Sequence, residues 1–433
     1  MLSSIITMGI SFTDVIMIGW LGTTELAASA ATSDFHSFFF YIVAGIITAT
    51  SVFIAHARGK KQTQSVRSIV HQGFLIAIIC SLPASFVIYN ASFFLALIGV
   101  EQSVINAAIP YAHTLCLAFL PMMLMTVLQH FVIAHHKTRI VFLVTLAGLP
   151  LNALGNYLLL FGNFGWPELK LAGAGISSAL TASFMFLSLL IYCQTNATLK
   201  RYKLLSAIEI NNIPQLKALI KTGLPIGISN IGEMGVFLSS TITMGIFGAE
   251  ALAAHTITLR LAGLFYAFPL GLSQAATIRC GYLQAQNKIS TLKKAIVAAT
   301  GSAFFIGMLF SVLIWFFSIE IASLFLSAER NTGDVLLIAS GFLLILGVFQ
   351  PFDSLATVIA GALRGMKDTR VPMILSIGSY WLVGFSCSLV LAFYFNFSGS
   401  GIWSGLAIGS CVFAVATSIR LTILWQRGFI NQP

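Results

Sequence analysis

Residues 18–28 read IGWLGTTELAA, and residues 244–254 return as MGIFGAEALAA. The two stretches match at Gly19/Gly245, Gly22/Gly248, Leu26/Leu252, Ala27/Ala253 and Ala28/Ala254. At the same offset of 226, without a gap, Thr32 pairs with Thr258, Phe39 with Phe265, Gly45 with Gly271 and Ala49 with Ala275. A later echo, HKTR at 136–139 and KDTR at 367–370, lies at an offset of 231, so one small insertion intervenes. An ungapped correspondence over about 30 residues marks an internal duplication.

What is duplicated follows from composition. The chain has 433 residues, 58% hydrophobic and 8% charged, with a mean hydropathy of +0.93. A soluble domain carries about 25% charged residues, so this is a membrane protein. About 20 apolar residues cross the hydrocarbon core. Twelve such stretches lie near residues 2–20, 36–56, 70–93, 108–133, 140–162, 172–194, 223–245, 252–278, 294–317, 336–361, 372–394 and 401–424. They are long continuous runs, which excludes a barrel of short alternating strands. We expect an all-α integral membrane protein of twelve transmembrane helices. A repeat of six helices keeps its orientation, so the two six-helix bundles are related by a pseudo-twofold axis along the membrane normal and face each other across a cleft. Two equal bundles around a midplane site suit alternating access.

Of the 23 Lys and Arg, all but Lys170, Arg260 and Arg330 fall in the loops after even-numbered helices or at the C-terminal end. That asymmetry places both termini in the cytoplasm, and it makes membrane orientation, rather than a nucleic acid, the reason for the net charge of +10. The first twenty residues lack a basic leader and cleavage site and read as a retained spanning helix. The expected organisation is an N-terminal lobe at 1–194, a cytoplasmic linker at 195–222 and a C-terminal lobe at 223–433. In the linker, Asn211, Asn212 and Pro214 open a stretch with Leu216, Leu219 and Ile220 on one face and Lys217 and Lys221 opposite. This reads as a short interfacial helix or a solvated linker. The six cysteines are scattered, without CxxC spacing, and read as packing residues.

Three acids, Asp14, Glu233 and Asp353, fall in the middles of predicted helices, with no Lys or Arg at that depth. A carboxylate there costs roughly 2.5–3.5 kcal/mol on insertion scales, so each needs a reason. Such groups bind protons, a metal ion or an organic cation, or serve as structural acids bonded to neighbouring polar side chains. Glu233 sits in GLPIGISNIGEMGVFLSSTI (223–242), where Gly232 and Gly235 leave room beside it for an ion, a substrate or a partner helix. By the offset of 226, Glu233 corresponds to Thr7 and Asp14 to Ser240, so each half carries a carboxylate where the other has only a hydroxyl. Arg260, Arg279, Arg364 and Arg420 fall at helix ends, where they can snorkel. The signatures HExxH, GxSxG and GxxxxGK[ST] are absent, so we expect no enzyme activity, no catalytic residues and no ATP-driven transport.

Several motifs resemble the multidrug and toxic compound extrusion transporters, the MATE family, in its NorM-like branch. They are SFTDVIMIGWLG (11–22), PLNALGNYLLLFGNFGWPELKLAGAG (150–175), GLPIGISNIGE (223–233), GAEALAAHTITLRLAGLFYAFPLGLSQAATIRCG (248–281) and FQPFDSLATVIAGALRGMKDTRVP (349–372). The resemblance covers nearly the whole chain. It implies a secondary multidrug efflux antiporter in the inner membrane of a bacterium, exporting amphipathic organic cations in exchange for Na⁺ or H⁺, with no cofactor and as a monomer. It implies that Glu233 and Asp353 form the cation site of the C-terminal lobe, with Na⁺ as a candidate ligand, and that Asp14 is the acid of the N-terminal lobe. Asn152, Asn156, Tyr157, Asn230, Tyr266, Gln274 and Gln350 are the expected substrate-binding residues. Asn156 stands where another branch has an aspartate, and Phe349 where some relatives have a tyrosine, which removes a hydroxyl ligand. Asp34 and Arg260, pseudo-symmetric counterparts, are either a gate pair or two solvated charges. A lipid-linked saccharide flippase is the alternative and would need a basic cavity for its pyrophosphate, whereas these interior charges are acidic.

Overall fold

The computed structural model describes residues 2–97, 99–205, 212–325 and 332–428, and among these every regular element is a helix. Asn211 and Arg330, invoked above, lie outside the described residues. In chain order the helices are α1 (Leu2–Gly19), α2 (Thr23–Gly59), α3 (Thr63–Tyr89), α4 (Ala91–Leu97), α5 (Gln102–Ala134), α6 (Thr138–Leu159), α7 (Leu171–Thr195) and α8 (Ile213–Met244). There follow α9 (Ala249–Ala285), α10 (Ile289–Ser323), α11 (Thr332–Gly365), α12 (Arg370–Ile377), α13 (Ser386–Leu389) and α14 (Ser398–Gln426). Two π-helical stretches, Gly378–Phe385 and Val390–Tyr394, join α12 and α13 into one span, Arg370–Tyr394. All six cysteines are free.

Hydrocarbon offers backbone groups no partner, so spanning segments satisfy them internally as helices. Among the described residues, ten helices are long and apolar enough to cross a membrane. Two of the twelve expected spans fall short of that measure. The apolar part of α1 is the shorter Ile5–Gly19. In α8 the apolar run is interrupted by Ser229, Asn230, Glu233 and the hydroxyls of 239–241 and 243.

The repeat is visible in the helix boundaries. Both α2 and α9 have 37 residues, and their first and last residues are each separated by the offset of 226. Gly22 and Gly248 precede them with φ of 146° and 101°, a backbone region that glycine enters without a Cβ penalty. At the second offset, His136 and Lys367 share a left-handed turn, φ 60° and 65°, just before α6 and α12.

The chain divides into two compact units, Leu2–Gly227 and the residues from Ile228 onward. In the first unit, α1, α2, α4, α5 and α7 contribute to a core that includes Tyr111, Leu115, Ala118 and Leu160. Its helices approach through small residues: a Cβ on Gly175 would meet Thr114, and one on Gly173 would meet the Leu159 carbonyl. In the second unit, α9 and α11 are zipped by Ser273 Oγ donating to the Thr357 carbonyl at 2.8 Å and Thr277 Oγ1 to that of Gly361 at 2.7 Å.

The unit boundary falls inside α8. Residues 213–222, which include most of the stretch read above as a short interfacial helix, run without interruption into the rest of α8. The reason is packing. Gly223 lies against the Ile46 carbonyl, and a Cβ on Gly227 would stand 2.7 Å from the Ile42 carbonyl, so this part of α8 is laid along α2. Ser68 Oγ also donates to Gln215 Oε1 at 2.6 Å. We predict that Gly223→Val, which forces these backbones apart, costs about 1–3 kcal/mol, the range for overpacking a close contact. Size-exclusion profiles and thermal midpoints in detergent should show the loss, whereas Gly301→Val, where nothing lies within 4 Å, should match the wild type.

Candidate functional site

The second unit gathers two of the three interior acids. Glu233 is partly buried on α8, and Asp353 is 6% exposed on α11. Asp353 follows Pro351, whose missing N–H deprives the Gly347 carbonyl of its helical donor; Ser311 Oγ supplies one from α10 at 2.5 Å. Each acid receives a donor from the same span, Arg370–Tyr394. Ser376 Oγ, near the end of α12, donates to Glu233 Oε1 at 3.1 Å. Tyr380 OH, in the π-helical stretch, donates to Asp353 Oδ1 at 3.0 Å. The Ser229 hydroxyl also bonds Glu233, and the two carboxylates lie close enough to repel one another.

Other groups face the pair. Tyr266 on α9 lies within electrostatic reach of both acids and hydrogen-bonds the Thr357 side chain. Arg364, in the last turn of α11, lies within reach of Glu233 and Tyr266. Gln350, three residues before Asp353, is 1% exposed with its Nε2 unpartnered. Gln274 on α9 and Asn230 on α8 are partly buried. The room beside Gly232 and Gly235 is filled by a partner helix: Trp381 packs on both glycines, and its Nε1 donates to the Gly232 carbonyl at 2.8 Å.

The third acid belongs to the first unit. Asn156 Nδ2 on α6 donates to Asp14 Oδ1 on α1 at 2.6 Å. Asn156 and Asn152, one turn apart, are fully buried, and the Asn152 carbonyl accepts from Ser177 Oγ at 3.0 Å. Thr13 bonds back to the Gly9 carbonyl instead. Tyr157, the next residue after Asn156, is 44% exposed with its ring against Phe164, so the structure separates it from the two asparagines. Asp34 on α2 and Arg260 on α9 are both exposed and belong to different units.

Each interior acid therefore has a side-chain donor rather than standing alone. Ser376, Tyr380, Trp381 and Arg364 were not singled out as site residues by sequence. Ser376 and Tyr380 carry a signal that could have found them, two hydroxyls four residues apart on an apolar helix. Tyr380 also answers the buried Phe349, since it brings a hydroxyl to Asp353 from another helix. Chemically, two carboxylates and two hydroxyls offer the hard oxygens that Na⁺ takes, and the carboxylates alone accept protons.

A family model described as MatE matches residues 1–158 and 225–390. The chain is 34% identical over 428 residues to a protein of Agrobacterium fabrum named "Probable multidrug resistance protein NorM", covering 97% of this chain and 90% of the relative. It is 32% identical over 427 residues to the protein of the same name from Bacillus cereus, covering 98% and 92%. Among solved structures, the eukaryotic MATE transporter AtDTX14 is similar with a TM-score of 0.86 at 21% identity, covering 99% of this chain and 94% of that one. An outward-facing multidrug resistance MATE family transporter of the MOP superfamily gives 0.85 at 20% identity, covering 98% and 94%.

Removing the Tyr380 hydroxyl leaves Asp353 without its side-chain donor. We predict that Tyr380→Phe destabilises the protein by about 1–3 kcal/mol, the cost of an unsatisfied buried group. Thermal unfolding of the purified variant beside Ser376→Ala measures it.

Proposed function

The chain belongs to the multidrug and toxic compound extrusion family, and from that premise we propose how it couples efflux to an ion gradient. It is a multi-pass multidrug efflux transporter of the NorM type. It exports amphipathic organic cations in exchange for Na⁺ or H⁺, and Glu233 and Asp353 hold the coupling ion. The observation that carries this reading is the convergence of two repelling carboxylates with Ser376 and Tyr380 as donors on one helix.

The exchange follows from charge. Two carboxylates in a low-dielectric interior repel, and one positive charge between them relieves that repulsion. An organic cation reaching the same acids relieves it equally, so the two cations compete and neither is needed while the other is bound. Asp14, held by Asn156, is the corresponding acid of the N-terminal lobe. Asn152, Asn156 and Tyr157 in the first unit, and Asn230, Tyr266, Gln274 and Gln350 in the second, are each candidates for polar contacts to the drug. Asp34 and Arg260, both exposed and one in each unit, are either a gate pair or two solvated charges. The transporter is a monomer in the bacterial inner membrane with lobes at 1–194 and 223–433; its termini are both cytoplasmic, as the distribution of basic loops supports.

Glu233→Gln keeps size and hydrogen bonding but removes the charge, so the protein should reach the membrane in normal amounts while cation-driven efflux fails. Asp353→Asn should behave alike, and the double variant should be little worse than either, as for two residues of one site. Proteoliposomes given Na⁺ and H⁺ gradients separately, at matched protein content, provide the measurement. Normal efflux by Glu233→Gln would make the carboxylate structural and overturn the proposal.

For the gate, Asp34→Asn and Arg260→Gln should each slow efflux, and exchanging the two charges should partly restore it. Wild-type rates in all three would leave only surface charges.

A further inference from the structure

One span of the second unit, Arg370–Tyr394, reaches both Glu233 and Asp353, and it does so at a change of helical register. Its first part, α12, gives way at Gly378 to the π-helical stretch Gly378–Phe385. Ser376 lies just before the change, and Tyr380 and Trp381 just after it. Ser376 Oγ donates to Glu233 Oε1 at 3.1 Å, and Trp381 Nε1 to the Gly232 carbonyl at 2.8 Å. That carbonyl and the Glu233 nitrogen belong to one planar peptide unit. The span therefore grips Glu233 at two points, its carboxylate and the peptide that carries it. Tyr380, next to Trp381, donates to Asp353 Oδ1 at 3.0 Å.

An ordinary α-helix would not present these groups together. At about 100° per residue, positions five apart such as Ser376 and Trp381 stand about 140° from one another, so one facing α8 turns the other away. The i→i+5 bonding of a π-helix widens the turn and brings Trp381 round toward the face of Ser376. The indole then fits against small residues: a Cβ on Gly235 would stand 3.0 Å from Trp381 Cζ2, and one on Gly232 4.0 Å from its Nε1. Phe385, at the end of the same stretch, packs edge-on to the indole at 5.8 Å between centroids. π-Helical turns are rare and concentrate at functional sites.

We propose that Trp381 is a positioning residue of the coupling site, acting with Ser376 and Tyr380 on one span to fix the separation of the Glu233 and Asp353 carboxylates. This role rests on the two acids holding the coupling ion. The hydrogen bond of Trp381 goes to the backbone beside Glu233, not to a carboxylate, so the indole acts through the acid it holds. An ion then meets two carboxylates at a set spacing, and no affinity is lost to ordering them on binding. Partners that orient the ligands of a metal ion in this way are worth about 10–100-fold in its affinity.

The test is efflux of ethidium, a fluorescent organic cation, by the full-length protein in proteoliposomes. Na⁺ is varied at fixed pH, and pH is varied without Na⁺, to find the half-saturating concentration of the driving cation. Trp381→Phe keeps an aromatic ring against the two glycines and removes the N–H. It should raise the half-saturating cation concentration about tenfold or more, leave that of ethidium unchanged, and lower the maximal rate less. If Trp381→Phe does not yield folded protein, Gly235→Ala, whose Cβ pushes the indole aside, should shift the same constant and is read in its place. A cation constant like that of the wild type, or equal changes in the cation and ethidium constants, would overturn the positioning role. With Glu233→Gln inactive in the same vesicles, the coupling site would then stand without it. Normal coupled efflux by Glu233→Gln would overturn both.

Discussion

Hydrocarbon solvates neither a charge nor an unpaired polar group, and this constraint shapes each polar residue inside the helices. Hydroxyls meet it locally: Thr7 bonds the Ser3 carbonyl, and Ser240 the Val236 carbonyl, each within its own helix. Pro351 creates a local deficit at Gly347, and Ser311 fills it from α10. Carboxylates cannot be served this way, because a helix offers them no free backbone donor in its interior. They take side-chain donors, mostly from other helices: Asp14 from Asn156 on α6, Glu233 from Ser376 as well as from Ser229 on its own helix, and Asp353 from Tyr380. An ionised carboxylate has about four acceptor positions, and one or two donors leave most of them open to a proton or a cation.

The duplication sharpens this contrast. The copies agree where geometry matters: the glycine turns before α2 and α9, the equal helix lengths and the left-handed turns at His136 and Lys367. They disagree at the acids. Thr7 and Ser240, the counterparts of Glu233 and Asp14, satisfy themselves within one helix turn. The chain therefore spends its scaffold symmetrically and its interior charge asymmetrically, with a pair of acids in one unit and a single asparagine-bound acid in the other.

Much of this was legible in the sequence. Apolar runs and glycine positions record local rules, so the helices and the repeat could be read directly. Asn152 and Asn156, four apart, fall on one buried face, as helical spacing implies. Tyr157, one residue further, is rotated by about 100° onto an exposed face. Partners across helices were not legible. Tyr380 reaches Asp353 from a π-helical stretch, whose register departs from the spacing of an ordinary helix. The glycines near Glu233 announced a space, but only the fold shows Trp381 filling it. Arg420, read as a snorkelling helix-end residue, instead pairs with Asp368 at 2.8 Å across a loop.

The molecule thus holds two electrostatic regions of opposite sign under different physical rules. Glu233 and Asp353 lie where little water screens them, so their mutual repulsion and their attraction for a cation persist at any ionic strength a cell reaches. The basic residues of the loops lie at a wetter boundary, where salt at about 0.15 M screens charges over roughly 8 Å. Under the proposed function, Glu233 and Asp353 discriminate by charge, because among charged species only a cation relieves their mutual repulsion.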